Sequence, residues 1–347
     1  MGRERELLHL QQELMPDLLE RMHLRYEILR YIHWKQPLGR RGLAQAMGMT
    51  ERTLRAEVEY LRDLGLLYMQ TSGMVLAEKG NNLIAELEPM MKVISGRSEL
   101  EEQLRFALRL KHVVIVPGNA DEMDTTKQEM GQAGAYLVQR FAKEHDVVAV
   151  AGGSTVAAVA ERMTPSSIFR SLTFVPARGG LGEAVELEAN YIVSHMANHT
   201  GGNYSLMHLP DQLSEDAYEV IAKEPHVEKG LKKIRSANMV IHGVGEAEAM
   251  ATRRNLTPAH KEALLLAGAV GEAFGYYVDV SGKVVFRSRT IGLQIEDLQR
   301  MDTVIAVAGG NSKAAAIGAI CASMGTDMLV TDEAAARLIV DHHKQHS

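Results

Sequence analysis

The sequence predicts an α/β chain in two parts: a helical module closed by a hairpin over residues 1–95, and a parallel sheet covered by helices over 111–347. Three observations carry this reading. Seven apolar β-type runs alternate with amphipathic stretches after residue 111. The pattern strand, Gly-Gly, hydroxyl, helix occurs twice, as VVAVAGGSTVAAVAE at 147–161 and VIAVAGGNSKAAAIG at 304–318. The first 95 residues instead show helical spacing, turn signals and a concentrated positive charge. A chain of 347 residues, 46% hydrophobic and 24% charged, has the composition of an ordinary globular protein with a substantial core.

The elements follow in order. Tyr26–His33 carries apolar residues at 26, 28, 29 and 32, which is helical spacing, and Pro37-Leu38-Gly39 ends it. Residues 41–47 form a short second helix stopped by Gly48. Thr50 reads as the N-cap of a third helix over Glu51–Leu64, whose Leu54, Val58 and Leu61 share one face. Two short strands follow, Leu66–Gln70 and Met74–Ala77, around Thr71-Ser72-Gly73. Helix, turn, helix and hairpin together make a winged helix-turn-helix. Its charge agrees: Arg21 to Arg62 holds nine Lys/Arg against four acids, +5 within a chain of net −6, so the remainder carries −11. A basic module on an acidic body is the asymmetry of a DNA reader with a separate ligand or partner domain. Arg52, Thr53 and Arg55 lie on the early turns of the third helix, placed for base edges, and Arg40 and Arg41 are placed for phosphates.

From Asn81 to Leu110 the pattern stays helical, with a break at Gly96 and Arg97. Residues 96–110 read as a linker helix whose Leu100, Leu104, Ala107 and Leu108 seam serves either packing or a dimer contact. The β-type runs then fall at 112–118, 146–153, 172–180, 204–210, 237–245, 303–310 and 326–332. Near-continuous apolar strands between helices mean a parallel sheet buried on both faces, with ligands at its carboxyl edge. Four strands end in glycine there, at 152–153, 179–180, 243 with 245, and 309–310. Glycine lets backbone approach a ligand, and the amides opening the next helix favour an anion. Arg178 and Lys313 add cations beside two of these loops. Arg253 and Arg254 form a further pair that is solvated by default. Neither Gly-Gly loop has the P-loop spacing or G-x-G-x-x-G, which argues against a nucleotide.

No run of 18 apolar residues occurs and the N-terminus is charged rather than signal-like, so a cytoplasmic chain without membrane contact is expected. The single cysteine, Cys321, lies in AAAIGAICASM and reads as a core thiol. No cofactor or metal site is expected, and the His-rich end DHHKQHS reads as a disordered terminus.

AGGST, VPARGG, HGVGEA, AFGYYV at 273–278 and AVAGGNSKAAAIGA, with the N-terminal module, resemble the SorC/DeoR-type sugar-binding transcriptional regulators over residues 14–338. The resemblance implies a winged helix joined to a Rossmann-like domain related to glucosamine-6-phosphate deaminase, ribose-5-phosphate isomerase and the CoA transferases. It implies a homotetrameric repressor on operator DNA, released by a phosphorylated sugar, with fructose-1,6-bisphosphate the expected effector and triose-phosphate glycolytic genes the target. Carried onto this chain, the phosphate loop falls on Gly152, Gly153, Ser154 and Thr155, with Ser where relatives often have Thr. The phosphate-binding arginine falls on Arg178 beside Gly179 and Gly180, a sugar-hydroxyl acceptor on Glu272, and the second loop's cation on Lys313. Arg253 or Arg254, with Arg253 favoured, serves the other phosphate. An isomerase or deaminase would draw on Glu246, Glu272 and His242 as proton carriers. The enzyme branch, however, has a Gly-His or Lys/Asp pair where this chain has Glu246-Ala247-Glu248-Ala249, so a sensor rather than an enzyme is expected.

Overall fold

A computed structural model describes residues 13–182, 184–212 and 215–346, and the charged N-terminal segment 1–12 lies outside it. The chain forms two compact units that divide between Glu99 and Leu100. In the first unit, helix α1 spans Pro16–Lys35, α2 Arg40–Ala46 and α3 Glu51–Asp63. A hairpin of β1 (Leu67–Gln70) and β2 (Gly73–Leu76) and helix α4 (Glu78–Ile94) complete it. Helix α1 begins ten residues before the expected Tyr26, because Pro16 sits in its first turn, where a missing N–H costs nothing. Ile28, Leu29, Ile32, Leu43, Leu54, Val58 and Leu61 close its core with Leu67, Met74 and Leu76 of the hairpin. Thr50 caps α3, accepting from the Thr53 amide at 3.2 Å.

The second unit starts within helix α5 (Arg97–Ala107) and is built on seven parallel strands. These are β3 (His112–Val116), β4 (Val147–Val150), β5 (Thr173–Pro176), β6 (Asn203–Tyr204), β7 (Met239–His242), β12 (Thr303–Val307) and β13 (Met328–Asp332). Their order is β3-β13-β12-β7-β4-β5-β6. The chain therefore builds outward from β4 in one direction and from β7 in the other, and the two strands pair at the centre. Successive side chains leave opposite faces of a strand. Val148, Val150, Met239, Ile241, Ile305 and Val307 accordingly join one core, with helices α6 (Asp124–Phe141), α7 (Ser154–Arg162) and α9 (Ala189–Thr200), while α8 is the short Ser167–Ser171. Val147, Ala149, Val240, Val304, Ala306 and Leu329 join the other. That second face is covered by α5, α11 (Pro225–Arg235), α15 (Ala314–Ser323) and α16 (Glu333–His346), with α10 at Glu215–Ile221. Cys321 is buried in it, and burial pushes its thiol up to about 12.

Three features differ from the sequence expectation. The run at 204–210 contributes only Asn203–Tyr204 to the sheet. Beyond that its backbone is claimed elsewhere: the Asn190 amide holds Met207 N and O at 3.1 and 2.8 Å, and Gly180 N donates to Leu209 O at 2.9 Å. A second, antiparallel sheet lies at residues 245–287: β8 (Gly245–Glu246), β9 (Ala269–Ala273), β10 (Tyr276–Asp279) and β11 (Val284–Arg287). Helices α12 (Ala247–Arg253) and α13 (Pro258–Leu266) lie between β8 and β9, and α14 (Ile295–Leu298) precedes β12. The His-rich end continues α16 to His346, since no Gly or Pro after Leu338 interrupts the helix and each added residue gains a hydrogen bond. Among the described residues no helix is long and apolar enough to cross a membrane.

Gly152 closes the turn after β4 by proximity: a Cβ there would stand 2.6 Å from the Leu187 carbonyl oxygen. Gly152→Ala is expected to destabilise the second unit by about 1–3 kcal/mol through this overlap. Denaturant unfolding checks it, and an unchanged midpoint would mean the turn relaxes freely.

Candidate functional site

One pocket of about 130 Å³ opens at the carboxyl edge of the sheet, at the junction of β4 and β7. Strand order reverses there, so the loops leaving the two strands diverge and leave a crevice. From β4 come Gly152, Gly153, Ser154 and Thr155; from β7, His242 to Glu246; from β9 and its turn, Glu272, Ala273 and Phe274. Arg178, Arg253 and Lys313 also line it.

The first Gly-Gly loop is open to an anion. Gly153 sits at φ 112°, outside the reach of most side chains, and hands the chain directly into α7. The first backbone bond of that helix runs from Ala157 N to Gly153 O, and no side chain caps the end. The amides of Ser154 and Thr155 are therefore presented to the pocket with the positive end of the helix dipole. Ser154 is exposed there. Thr155 acts differently, since its hydroxyl is buried and donates to Val307 O at 2.8 Å, fastening α7 to the end of β12.

The second Gly-Gly loop looks alike in sequence and is already filled. Gly310 N donates to Asp332 Oδ2 at 2.7 Å, and Ser312 N and Oγ both donate to Asp121 at 2.9 Å. Two carboxylates of the chain itself occupy the place of an anion. What this loop gives the pocket is Lys313. Its amine is pushed below the usual lysine range, chiefly by burial and then by the like charges of Lys127 and Arg253, while Asp121 and Glu246 oppose the shift. Lys127, in the first turn of α6, is a cation that the sequence pattern did not single out. The Arg178 guanidinium has no ion pair or hydrogen bond among the described residues.

The adjacent arginines at 253 and 254 separate cleanly. Arg253 lines the pocket. Arg254, expected to be solvated, is buried with side-chain exposure of 0% and bridges Asp211 and Glu272, the latter at 2.9 Å. Glu272 Oε1 also accepts the Gly275 amide at 2.6 Å, which fixes the carboxylate at the pocket's base. Burial raises the Asp211 carboxyl, opposed by the positive charges of Arg178 and Arg254. Gly179 and Gly180 do not line the pocket. A Cβ on Gly179 would stand 2.6 Å from Leu209 O, and Gly180 binds the same segment through its amide. Their role is to let the 207–211 segment cross the end of β5.

In the first unit Arg40, Arg41, Arg52, Thr53 and Arg55 are all exposed. Arg55 is paired with Glu59 at 3.1 Å and Arg41 with Glu51 at 3.7 Å, whereas Arg40 and Arg52 have no such partner among the described residues. The Thr53 hydroxyl is shared with Thr50 at 2.8 Å, which ties it to the helix cap.

A family model for a sugar-binding domain matches residues 92–341, and one for the central glycolytic genes regulator N-terminal DNA-binding domain matches residues 22–91. The chain belongs to the SorC-type sugar-binding transcriptional regulators. It is 47% identical over 337 residues to the central glycolytic genes regulator of Priestia megaterium, covering 97% of this chain and 98% of that one. The regulator of the same name from Bacillus subtilis is 44% identical over 335 residues, covering 96% and 98%. A SorC family transcriptional regulator from Enterococcus faecalis superimposes with a TM-score of 0.65 at 38% identity, over 70% of this chain and 99% of that one. This family membership makes the chain a regulator with DNA-binding and sugar-binding domains, and not an enzyme.

His242, which an enzyme would have used as an acid, is instead a packed histidine at the end of β7. His242 is 1% exposed, and burial drives its imidazole down to about 4. Nδ1 stands 2.8 Å from Gly243 O, and the ring packs on Phe274 at 5.0 Å. The native pKa lies below the unfolded value near 6.5, so the neutral form is favoured in the fold, and stability is present above pH 6.5 and lost as pH falls toward 4. Between pH 7 and pH 5 this one group is expected to remove about 2 kcal/mol. Denaturant unfolding against pH checks it: His242→Phe should flatten that part of the profile, and an unchanged slope would contradict the assignment.

Proposed function

We propose that this chain represses triose-phosphate glycolytic genes from operator DNA and releases them when a phosphorylated sugar, foremost fructose-1,6-bisphosphate, fills the pocket. The observation that carries the reading is an uncapped helix N-terminus facing Arg178, Arg253 and Lys313 in one crevice. One phosphate is held by the amides of Ser154 and Thr155, the Ser154 hydroxyl and Arg178, with Gly152 and Gly153 allowing the close approach. The other lies toward Arg253 and Lys313. The mutual repulsion of Lys313, Arg253 and Lys127 supports a second anion, because a phosphate there relieves it. Glu272, already oriented by Arg254, takes a sugar hydroxyl. The name shared by the two curated relatives supports the glycolytic target.

Residues 1–95 would act as the reader, 96–110 as the linker and 111–347 as the effector half, with Gly179 and Gly180 supporting the Arg178 turn. Arg52 and Arg55 meet base edges from α3 with Thr53 beside them, and Arg40 and Arg41 meet phosphates. The assembly on DNA is a homotetramer built from two dimers. The ligand shifts it by binding the released conformation more tightly than the DNA-bound one, since only differential affinity moves the equilibrium.

A thermal-shift screen across mono- and bisphosphorylated sugars tests the ligand. The largest stabilisation is expected from fructose-1,6-bisphosphate, and no response to any sugar phosphate would overturn the reading. Arg178→Ala is expected to weaken that response roughly 10- to 100-fold with operator binding intact. Mobility shifts with and without effector measure both, and full inducer sensitivity in the variant would remove Arg178 from the site. Arg52→Ala is expected to cost roughly 1–3 kcal/mol of operator affinity with effector affinity unchanged. Undiminished DNA binding at moderate salt would misplace the recognition helix.

A further inference from the structure

The pocket's cations account for an anion, and one lining residue carries a buried polar atom of the opposite kind. His242 Nδ1 faces the Gly243 carbonyl oxygen at 2.8 Å, and a carbonyl can only accept, so the ring hydrogen is on Nδ1. Nε2 then carries a bare lone pair. It is buried and has no hydrogen-bond partner, on a residue that lines the pocket beside Gly243, Glu272 and Phe274. Orphaned buried acceptors are rare, and the loss is made good only by a donor. Phosphate oxygens cannot serve, because a dianion brings lone pairs and no hydrogen. A Lys or Arg would, but those that line the pocket are accounted for by the anion. The group that fits a bare imidazole nitrogen beside a carboxylate and an aromatic ring is a hydroxyl on a carbon chain.

We propose that His242, through Nε2, accepts a hydrogen bond from a hydroxyl of the bound ligand and so distinguishes a phosphorylated polyol or sugar from a phosphate ester lacking hydroxyls. This deepens the ligand reading given above and rests on it. Gly243 O fixes the tautomer and Phe274 packs on the ring, so the lone pair is set in advance, and a ligand hydroxyl reaches it by displacing the groups that close Nε2 from solvent. Burial keeps the ring neutral across the physiological range, and the discrimination does not titrate there. Glu272 is the facing charged group on the neighbouring sheet, and its carboxylate favours a proton on the ring, against the larger effect of burial.

The test compares two bisphosphates by calorimetry on the full chain: fructose-1,6-bisphosphate and hexane-1,6-diol bisphosphate, which has no hydroxyl. In the wild type the sugar is expected to bind more tightly. His242→Phe is expected to lose about tenfold for the sugar, the worth of one hydrogen bond, and to leave the hexanediol ester unchanged. Unchanged sugar affinity, or an equal loss for both esters, would overturn the role of His242 while leaving the phosphate reading intact. Binding of neither ester by the wild type would overturn the ligand reading and this assignment with it. Where His242→Phe does not fold, nitrogen-15 spectra of histidine-labelled wild type decide. Saturating sugar bisphosphate should move the bare Nε2 resonance toward the hydrogen-bonded position, and an unmoved resonance would contradict the contact.

Discussion

The reversal of strand order between β4 and β7 is the constraint on which the rest of the second unit depends. Because the chain builds outward in both directions from this pair, the loops above it separate, and a crevice forms without any side chain having to make room for it. The first Gly-Gly loop, the His242–Glu246 segment and the antiparallel sheet all meet at that opening. The Thr155 hydroxyl on Val307 O joins the two halves across the reversal, so helix α7 is held at the end of β12 rather than left to move with β4 alone.

The two similar loops have been given different work by acids far away in the chain. Asp332 and Asp121 satisfy the amides of the second loop, at the ends of β13 and in the turn after β3. An anion arriving there would have to displace a carboxylate and would gain little. The first loop has no such occupant, and the one cation of the second loop points its electrostatic influence toward Arg253 and Lys127 instead. The pocket is thus asymmetric: amides at one end, side-chain cations toward the other, and a neutral acceptor with a fixed carboxylate between them. In the proposed function that arrangement matches a ligand with two phosphates and a hydroxylated middle.

Much of this was legible in the sequence, because it is written in local pattern. The parallel strands, the winged helix-turn-helix and the first Gly-Gly loop each occupy a contiguous stretch with its own period and glycines. The antiparallel sheet was not legible. Its tightest hairpin joins Ala273 to Tyr276 through Phe274 and Gly275, both at positive φ, and a bulky aromatic in the first of those positions hides a turn normally announced by Asn or Asp. The filling of the second loop was equally hidden, since Asp121 and Ser312 are 191 residues apart. Arg253 and Arg254 show the limit most simply. Adjacent on a helix end, they point to pocket and core respectively, and only the positions of Asp211 and Glu272 decide which is which.

A crystal structure of the chain grown with fructose-1,6-bisphosphate would show whether the two Gly-Gly loops are unequal. One phosphate is expected on the amides of Ser154 and Thr155 beside Arg178, with Asp332 still on Gly310 N and Asp121 still on Ser312. A phosphate seated on the amides of Gly310 and Ser312, with either carboxylate displaced, would contradict it.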